Sequence, residues 1–289
     1  MKRRLNSLKQ CVGDLIHSKT ALAGLIIVII VLLLSLLAPL LTPFDQAAIE
    51  IRNRLKAPFW MEGGDARHLL GTDSMGHDVF TRLLYGGRLS LVVAFSSVFF
   101  STILGVVLGL ISGYCGGWVD KIIMRITEIQ MAFPFILLAI SILAVLGPGV
   151  LNTIIVLAVT GWVDYARVVR AQTLAVKRQE YVEAAVSIGL PTRRILFHHI
   201  LPNVMAPVLV IFCTSISQNI IMEASLSFLG LGVPPETASW GSMLSGGREF
   251  ITSAGWLTVV PGLAIVITII GISMLGDWLR DYFDPKVKK

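Results

Sequence analysis

A chain of 289 residues with 55% apolar and only 15% charged side chains cannot wet a soluble globule of its size, because soluble domains carry about 25% charged residues. With a mean hydropathy of +0.78, this composition excludes a cytosolic enzyme, a secreted domain and a disordered chain, leaving an integral membrane protein. In that setting the net charge of +6 reads as a basic bias of cytoplasmic loops, and no nucleic-acid partner is expected.

A helix needs about 20 mainly apolar residues to cross the hydrocarbon core. Residues 1–20 hold five Lys or Arg and read as a cytoplasmic N-terminal segment. The stretch 20–44 has no Asp, Glu, Lys or Arg, and 21–41 is the first span, too long for a signal peptide and read as uncleaved. An extracytoplasmic loop follows over 42–88, with 79–90 suited to an interfacial helix that leads into the second span. That loop reads either as a platform for a binding protein or as a cap resting on the membrane. The second span, 89–119, is charge-free and closes near 113–117. Residues 129–163 are also charge-free but too long for one helix, and Gly147-Pro148-Gly149 divides them into spans at 129–146 and 150–163. Pro134 reads as a kink in the third span, or as a bend in a pathway-lining helix. Glu128 with Arg125, and Asp164 with Arg167, are spaced for i,i+3 ion pairs at the interface. A fifth span runs from 204 to about 231, a sixth lies within 250–276, and 279–289 is a tail. Residues 89–278 thus form a five-helix core that includes a cytoplasmic segment, 171–203. Six spans put both termini on one side. That side carries 17 of the 24 Lys and Arg residues, which makes it cytoplasmic.

Catalytic and metal signatures are missing. Cys11, Cys115 and Cys213 fall in separate segments with no C-x-x-C spacing, so neither a disulfide framework nor a zinc site is expected. No phosphate-binding G-x-x-x-x-G-K-[ST] loop occurs, so ATP is not bound here in that manner. Asp73, His77 and Asp78 lie close in sequence, but their glycine-rich spacing argues for a turn rather than a metal site. Glu223 interrupts the fifth span about 28 Å beyond Val204, near the outer boundary. It reads as an interfacial carboxylate, or as part of an outer gate with Ser225, Phe228 and Gly230.

The most informative segment is Tyr181-Val182-Glu183-Ala184-Ala185-Val186-Ser187-Ile188-Gly189-Leu190-Pro191. It reads as a helix stopped by Gly189, with Pro191 opening a second helix. Ala184 and Ala185 would leave a low-relief patch beside Glu183. On local features this is either a docking surface or an ordinary amphipathic connector.

The pattern E-A-A-x-x-x-G at 183–189, followed by Ile200-Leu201-Pro202-Asn203, resembles the coupling motif of bacterial ABC importer permeases. The outer-loop run from His68 through Arg82 is similar to the signature of the dipeptide, oligopeptide and nickel branch. So are the S-L-S-F-L-G-L-G run at 225–232, Trp240-Gly241, Leu275-Gly276-Asp277-Trp278-Leu279-Arg280-Asp281 and Asp284-Pro285. His77 stands where that branch usually has arginine, and Trp278 where it usually has glycine. The resemblance covers nearly the whole chain and implies an all-α, type I ABC importer-like fold with six transmembrane helices in a bacterial inner membrane. It implies a "C"-type permease without catalysis of its own, forming the pathway for di- or oligopeptides with a second, homologous permease. Two ATP-binding subunits would hold ATP and Mg and dock at Glu183, Ala184, Ala185 and Gly189, and an extracytoplasmic substrate-binding protein would deliver cargo. No cofactor is expected in this chain. The same machinery carries nickel, metal chelates, glutathione or opines in close relatives. An ion-coupled secondary transporter is the rival class, and it wants ionisable groups at the midplane or inverted repeats; neither is evident.

Overall fold

The computed structural model describes residues 13–283. Cys11, most of the N-terminal segment and Asp284-Pro285 with the rest of the tail lie outside the described residues. Among those described, the chain is helical, relieved by one isolated antiparallel bridge between Thr72 and Asp78.

Helix α1 (Lys19–Leu36) starts where the Ser18 hydroxyl accepts the Ala21 N–H at 3.4 Å. Helix α2 (Val79–Cys115) starts where Asp78 Oδ2 accepts the Thr81 N–H at 2.8 Å. Such caps satisfy N–H groups that the first turn leaves without partners. Helix α2 then runs unbroken for 37 residues, about 55 Å at 1.5 Å per residue. Residues 79–90 are therefore the first turns of this one helix, continuous with the stretch read as the second span.

Helices α3 (Gly117–Met131) and α4 (Phe135–Leu146) are bent by 91° across the break between them. This corrects the expectation of one kinked span over 129–146. Pro134 has no N–H to donate, and its ring drives Phe133 out of the helical region. The chain therefore leaves the helix at Met131 and restarts with Pro134 as N-cap.

Helix α5 (Val150–Lys177) follows the Gly-Pro-Gly turn, where Gly149 has φ +156°. It is apolar to Val163, then continues as a polar helix through Asp164, Arg167 and Arg170. Helix α6 (Glu180–Ser187) is short, and after Pro191 a helical turn (Thr192–Arg194) passes into a π-helical stretch (Ile195–Ile200). There the Leu201 N–H bonds to the Leu196 carbonyl, five residues back. The wider register suits a chain about to place Pro202, which has no N–H for an ordinary i→i−4 bond. Helix α7 (Leu201–Phe228) continues from it, followed by α8 (Trp240–Gly247), with a reciprocal cap between Ser239 and Ser242, and α9 (Trp256–Phe283).

Four stretches are long and apolar enough to cross a membrane: α1, α2, Thr192–Phe228 and α9. The bent pair α3–α4 makes a fifth if it is one span. Their exposed faces are rich in large apolar residues such as Ile26, Ile30, Leu33, Phe99, Ile103 and Val266, which suits lipid as the solvent.

The centre of the fold is the α2–α5 pair. Gly105, Gly109 and Gly113 lie at four-residue spacing on α2, facing Tyr165–Ala166, Val169 and Thr173 of α5. A Cβ on Gly109 would stand 2.6 Å from the Ala166 carbonyl oxygen, and one on Gly113 would stand 2.7 Å from Thr173 Cβ. Small residues in this register let two helix backbones approach where no hydrophobic force draws them together. The same device joins α1 to α9, where a Cβ on Gly24 would meet the Gly271 carbonyl oxygen at 2.7 Å.

Candidate functional site

Helix α6 is held to the bundle by one face. Val182 and Ala185 are buried; Val182 packs with Ile195, Ile200 and Val204 of the π turn and α7, and with Val176 at the end of α5. Asn203 Nδ2 donates to the Tyr181 hydroxyl at 3.2 Å, and the Tyr181 and His199 rings lie 6.5 Å apart. The other face is open: Glu183 and Ala184 are exposed, as are Val186 and Ile188. The two alanines therefore do not form one patch. Consecutive helical residues are about 100° apart, so burying Ala185 turns Ala184 outward.

Gly189 ends the helix with φ +75°. Its N–H reaches the Val186 carbonyl at 2.9 Å, and the Leu190 N–H reaches that of Ala185 at 3.2 Å. This paired closure satisfies the last carbonyls and needs a left-handed residue at that position. Helix, stop and restart follow the reading of the sequence, and the result is a short element whose apolar side is welded to α7.

At the far end of α7, Glu223 is fully buried within the protein. Its Oε2 accepts from Ser90 Oγ and its Oε1 from Ser227 Oγ, each at 2.8 Å, while the Trp240 N–H donates to Ser90 Oγ at 3.2 Å. The carboxylate thus ties α7 to α2 and to the start of α8. The Ser227 hydroxyl also accepts the Val233 N–H at 3.0 Å, which folds the following loop back on the helix.

The remaining residues expected at a gate do not converge on Glu223. The Ser225 hydroxyl donates to the Ile221 carbonyl on another face, Phe228 lies under the Arg248 guanidinium at 5.6 Å, and Gly230 ends the helix with φ +78°. Nothing local in the sequence singles out Ser90 or Trp240 as partners of Glu223. Ser90 and Glu223 stand 133 positions apart, so no local spacing signals their meeting. Ser227 was within reach, as the i+4 neighbour of an acid inside an apolar helix.

The loop before α2 contains Asp73 and His77 in a turn. His77 Nδ1 lies 2.8 Å from Asp73 Oδ2 and 3.0 Å from Arg82 Nη1. Arg82 Nη2 donates to the Pro235 carbonyl at 3.0 Å, which fastens this loop to the one before α8. His68 Nδ1 and Asp78 Oδ1 form a second buried pair at 3.0 Å. The groups that suggested a metal are therefore engaged in structural hydrogen bonds. The expected Arg125–Glu128 ion pair is present at 3.1 Å. Asp164 and Arg167 do not pair, and Arg167 Nη1 instead donates to the Met131 sulfur at 3.0 Å. Across α3 and α5, Asp120 takes a bidentate contact from Arg170, at 2.5 and 2.6 Å, and a bond from Ser112 Oγ at 2.5 Å.

Known proteins are similar to this chain in sequence and in fold. Residues 105–289 match the family model described as binding-protein-dependent transport system inner membrane component. Residues 9–58 match the N-terminal TM domain of oligopeptide transport permease C. The chain is 43% identical over 280 residues to the dipeptide transport system permease protein DppC of Alkalihalophilus pseudofirmus, covering 97% of this chain and 90% of that one. It is 38% identical over 288 residues to the oligopeptide transport system permease protein OppC of Bacillus subtilis, covering 100% and 92%. It is 42% identical over 268 residues to the glutathione transport system permease protein GsiD of Escherichia coli, covering 93% and 87%. Among solved structures, the inward-facing MetNI methionine ABC transporter has a similar fold, with a TM-score of 0.54 at 18% identity over 70% of this chain and 97% of that one. The chain belongs to the family of inner membrane components of binding-protein-dependent transport systems.

Proposed function

We propose that this chain is a permease subunit of an ATP-driven ABC importer for di- and oligopeptides, set in a bacterial inner membrane. Its relatives named for dipeptide and oligopeptide transport support the cargo, and a relative named for glutathione, itself a small peptide, marks a variant of it. In this reading the spans are α1, α2, the α3–α4 pair counted as two segments with α5, then α7 and α9, giving six crossings and two cytoplasmic termini. The segment 1–20 and the tail 279–289 are cytoplasmic. Span 21–41 and loop 42–88 precede a core over 89–278, whose segment 171–203 projects toward the partner ATPases. A second permease completes the pathway, an external binding protein delivers the peptide, and ATP with Mg is held by the two ATP-binding subunits. This chain performs no chemistry.

One observation carries the mechanism: α6 is fixed to the root of α7 by its buried face, while Glu183 and Ala184 on its other face remain open. A partner that grips the open face moves α7 as a lever. At the lever's far end Glu223 holds α2 and α8, so nucleotide-driven closure of the ATPases changes the packing there. The transporter is then a two-state system biased by nucleotide below and by the loaded binding protein outside. Glu183→Arg and Gly189→Arg, in the assembled complex, test this. Both should abolish ATP-driven peptide uptake and lower the amount of ATPase that co-purifies, and unchanged uptake refutes the assignment. Peptide transport that persists without nucleotide and follows a proton gradient would instead establish the secondary carrier.

A further inference from the structure

The groove between α3, α5 and α7 holds charges that the fold does not consume. A cavity of about 600 Å³ is lined by Asp164, Arg167 and Arg170 of α5 and by Thr214, Ser215 and Gln218 of α7. A second, of about 270 Å³, shares Asp164, Ser215 and Gln218 with it and runs on to Asn219 and Thr160. Asp164 lies 14 residues into α5, about 21 Å from its start at Val150, where the apolar half of the helix ends. Ionisable groups within transmembrane bundles face a cavity and mark transport paths, and Asp164 and Arg167 line one where the apolar stretch stops.

The two arginines of this groove differ in state. Arg170 is committed to Asp120 through both its Nε and Nη2. Arg167 has only a thioether sulfur, a weak acceptor, against its guanidinium. Asp164 has no ion-pair partner among the described residues, although it sits three positions before Arg167 on the same wall. At i,i+3 spacing their Cβ atoms lie about 5–6 Å apart. An acid and a base that close, both exposed and not closed on each other, present opposite charges side by side to the groove.

Building on the peptide-importer reading, we propose that Asp164 and Arg167 form a station in the pathway that receives the two termini of a zwitterionic dipeptide, whose ends lie close enough to meet both. Asp164 meets the terminal ammonium and Arg167 the terminal carboxylate. Ser215 and Gln218 on α7 offer hydroxyl and amide groups to the backbone between them. The guanidinium fork suits a carboxylate bidentately. The station reads termini and ignores side chains, which fits a groove that must pass many sequences and must not hold any of them tightly. Because α7 is also the lever moved by α6, a shift of α7 separates Ser215 and Gln218 from the α5 charges and releases the peptide.

The test uses the complete complex reconstituted in proteoliposomes with its binding protein, and the readout is peptide accumulated per ATP hydrolysed. Asp164→Asn and Arg167→Gln should each lower that ratio about tenfold, as expected for losing a charged hydrogen bond, while binding-protein-stimulated ATPase activity persists. Should either variant fail to assemble, the unmodified complex is illuminated with alanyl-benzoylphenylalanine. Cross-links should then map to α5 around Asp164 and to α7 around Ser215 and Gln218. An unchanged transport ratio in assembled variants, or cross-links confined to other helices, overturns the station and leaves the importer intact. A wild-type complex that accumulates no peptide with ATP overturns the importer reading, and the station with it.

Discussion

Gly189, just past the end of α6, separates backbone strain from surface contact more cleanly than any residue of the helix itself. Its φ of +75° lies in the left-handed region, yet a Cβ built on it would meet nothing within 4 Å. Gly189→Ala therefore adds no clash, and its cost is conformational, about 1 kcal/mol for an ordinary L-residue in that region. Gly189→Val costs more because branching at Cβ tightens the restriction, and Gly189→Asn costs least because asparagine visits that region readily. Since 1.4 kcal/mol is tenfold in an equilibrium, the alanine variant should raise the population with an opened α6 end by about fivefold. Amide hydrogen exchange reads this at Gly189 and Leu190, whose N–H groups bond to Val186 and Ala185 only in the closed turn. Exchange should accelerate in the order Gly, Asn, Ala, Val, peptide uptake should fall in the same order, and the melting temperature of the complex should barely move. Equal behaviour of the alanine and asparagine variants would refute the strain argument. So would a fall in uptake with unaltered exchange, because the added side chain would then be acting at a docked surface.

Other substitutions probe the remaining parts of the lever. Gly109→Ala presses a methyl against the Ala166 carbonyl oxygen at 2.6 Å and Val169 Cβ at 2.8 Å, and should cost about 1–3 kcal/mol of overpacking, read as a lowered melting temperature. Glu223→Gln should be tolerated, because a serine hydroxyl can reverse and accept from the new amide. Glu223→Leu strands the hydroxyls of Ser90 and Ser227, at about 1–3 kcal/mol each, and should lower both stability and transport. In the loop before α2, Asp65 is held well below the ordinary carboxylate range by the Arg67 N–H, by the Arg67 guanidinium and by Lys56. Its contribution to loop order is thus complete above about pH 4 and is lost as pH falls below that. Amide exchange of residues 56–71 should lose protection in that acid range, and Asp65→Asn should remove the pH dependence.

What the sequence discloses here depends on how far apart the partners stand. Helix ends at Gly147-Pro148-Gly149 and at Gly189 are local events, dictated by residues that lack a Cβ or an N–H, and both lie where the pattern puts them. Pro134 carries an equally local signal with two outcomes. A proline kinks a helix when neighbours hold both halves in line, and ends it when they do not. Phe133 and Pro134 fall between α3 and α4, which diverge by 91°, so the second outcome prevails. Gly105, Gly109 and Gly113 recur at four-residue spacing, but nothing local names α5 as the helix they face. Glu223 exceeds local reading altogether. Counting residues along its helix gives its place along the span, but its burial is created by Ser90 and Trp240 on two other elements.

The same contrast explains why this chain keeps so few charges and where it spends them. Near the loops, Arg82 and Arg170 are each bound by an acid, an imidazole or a carbonyl, so their positive charge fastens one segment to another. Within the bundle, Glu223 is satisfied by hydroxyls and joins three helices. Asp164 and Arg167 stand outside this economy. Both are exposed to the groove, Asp164 closes on no base among the described residues, and Arg167 meets only the weak Met131 sulfur. A low-charge chain gains no stability from carrying an unclosed acid and base beside its membrane half, where desolvation makes them costly. Retaining them is intelligible if the charges that complete them arrive with the cargo.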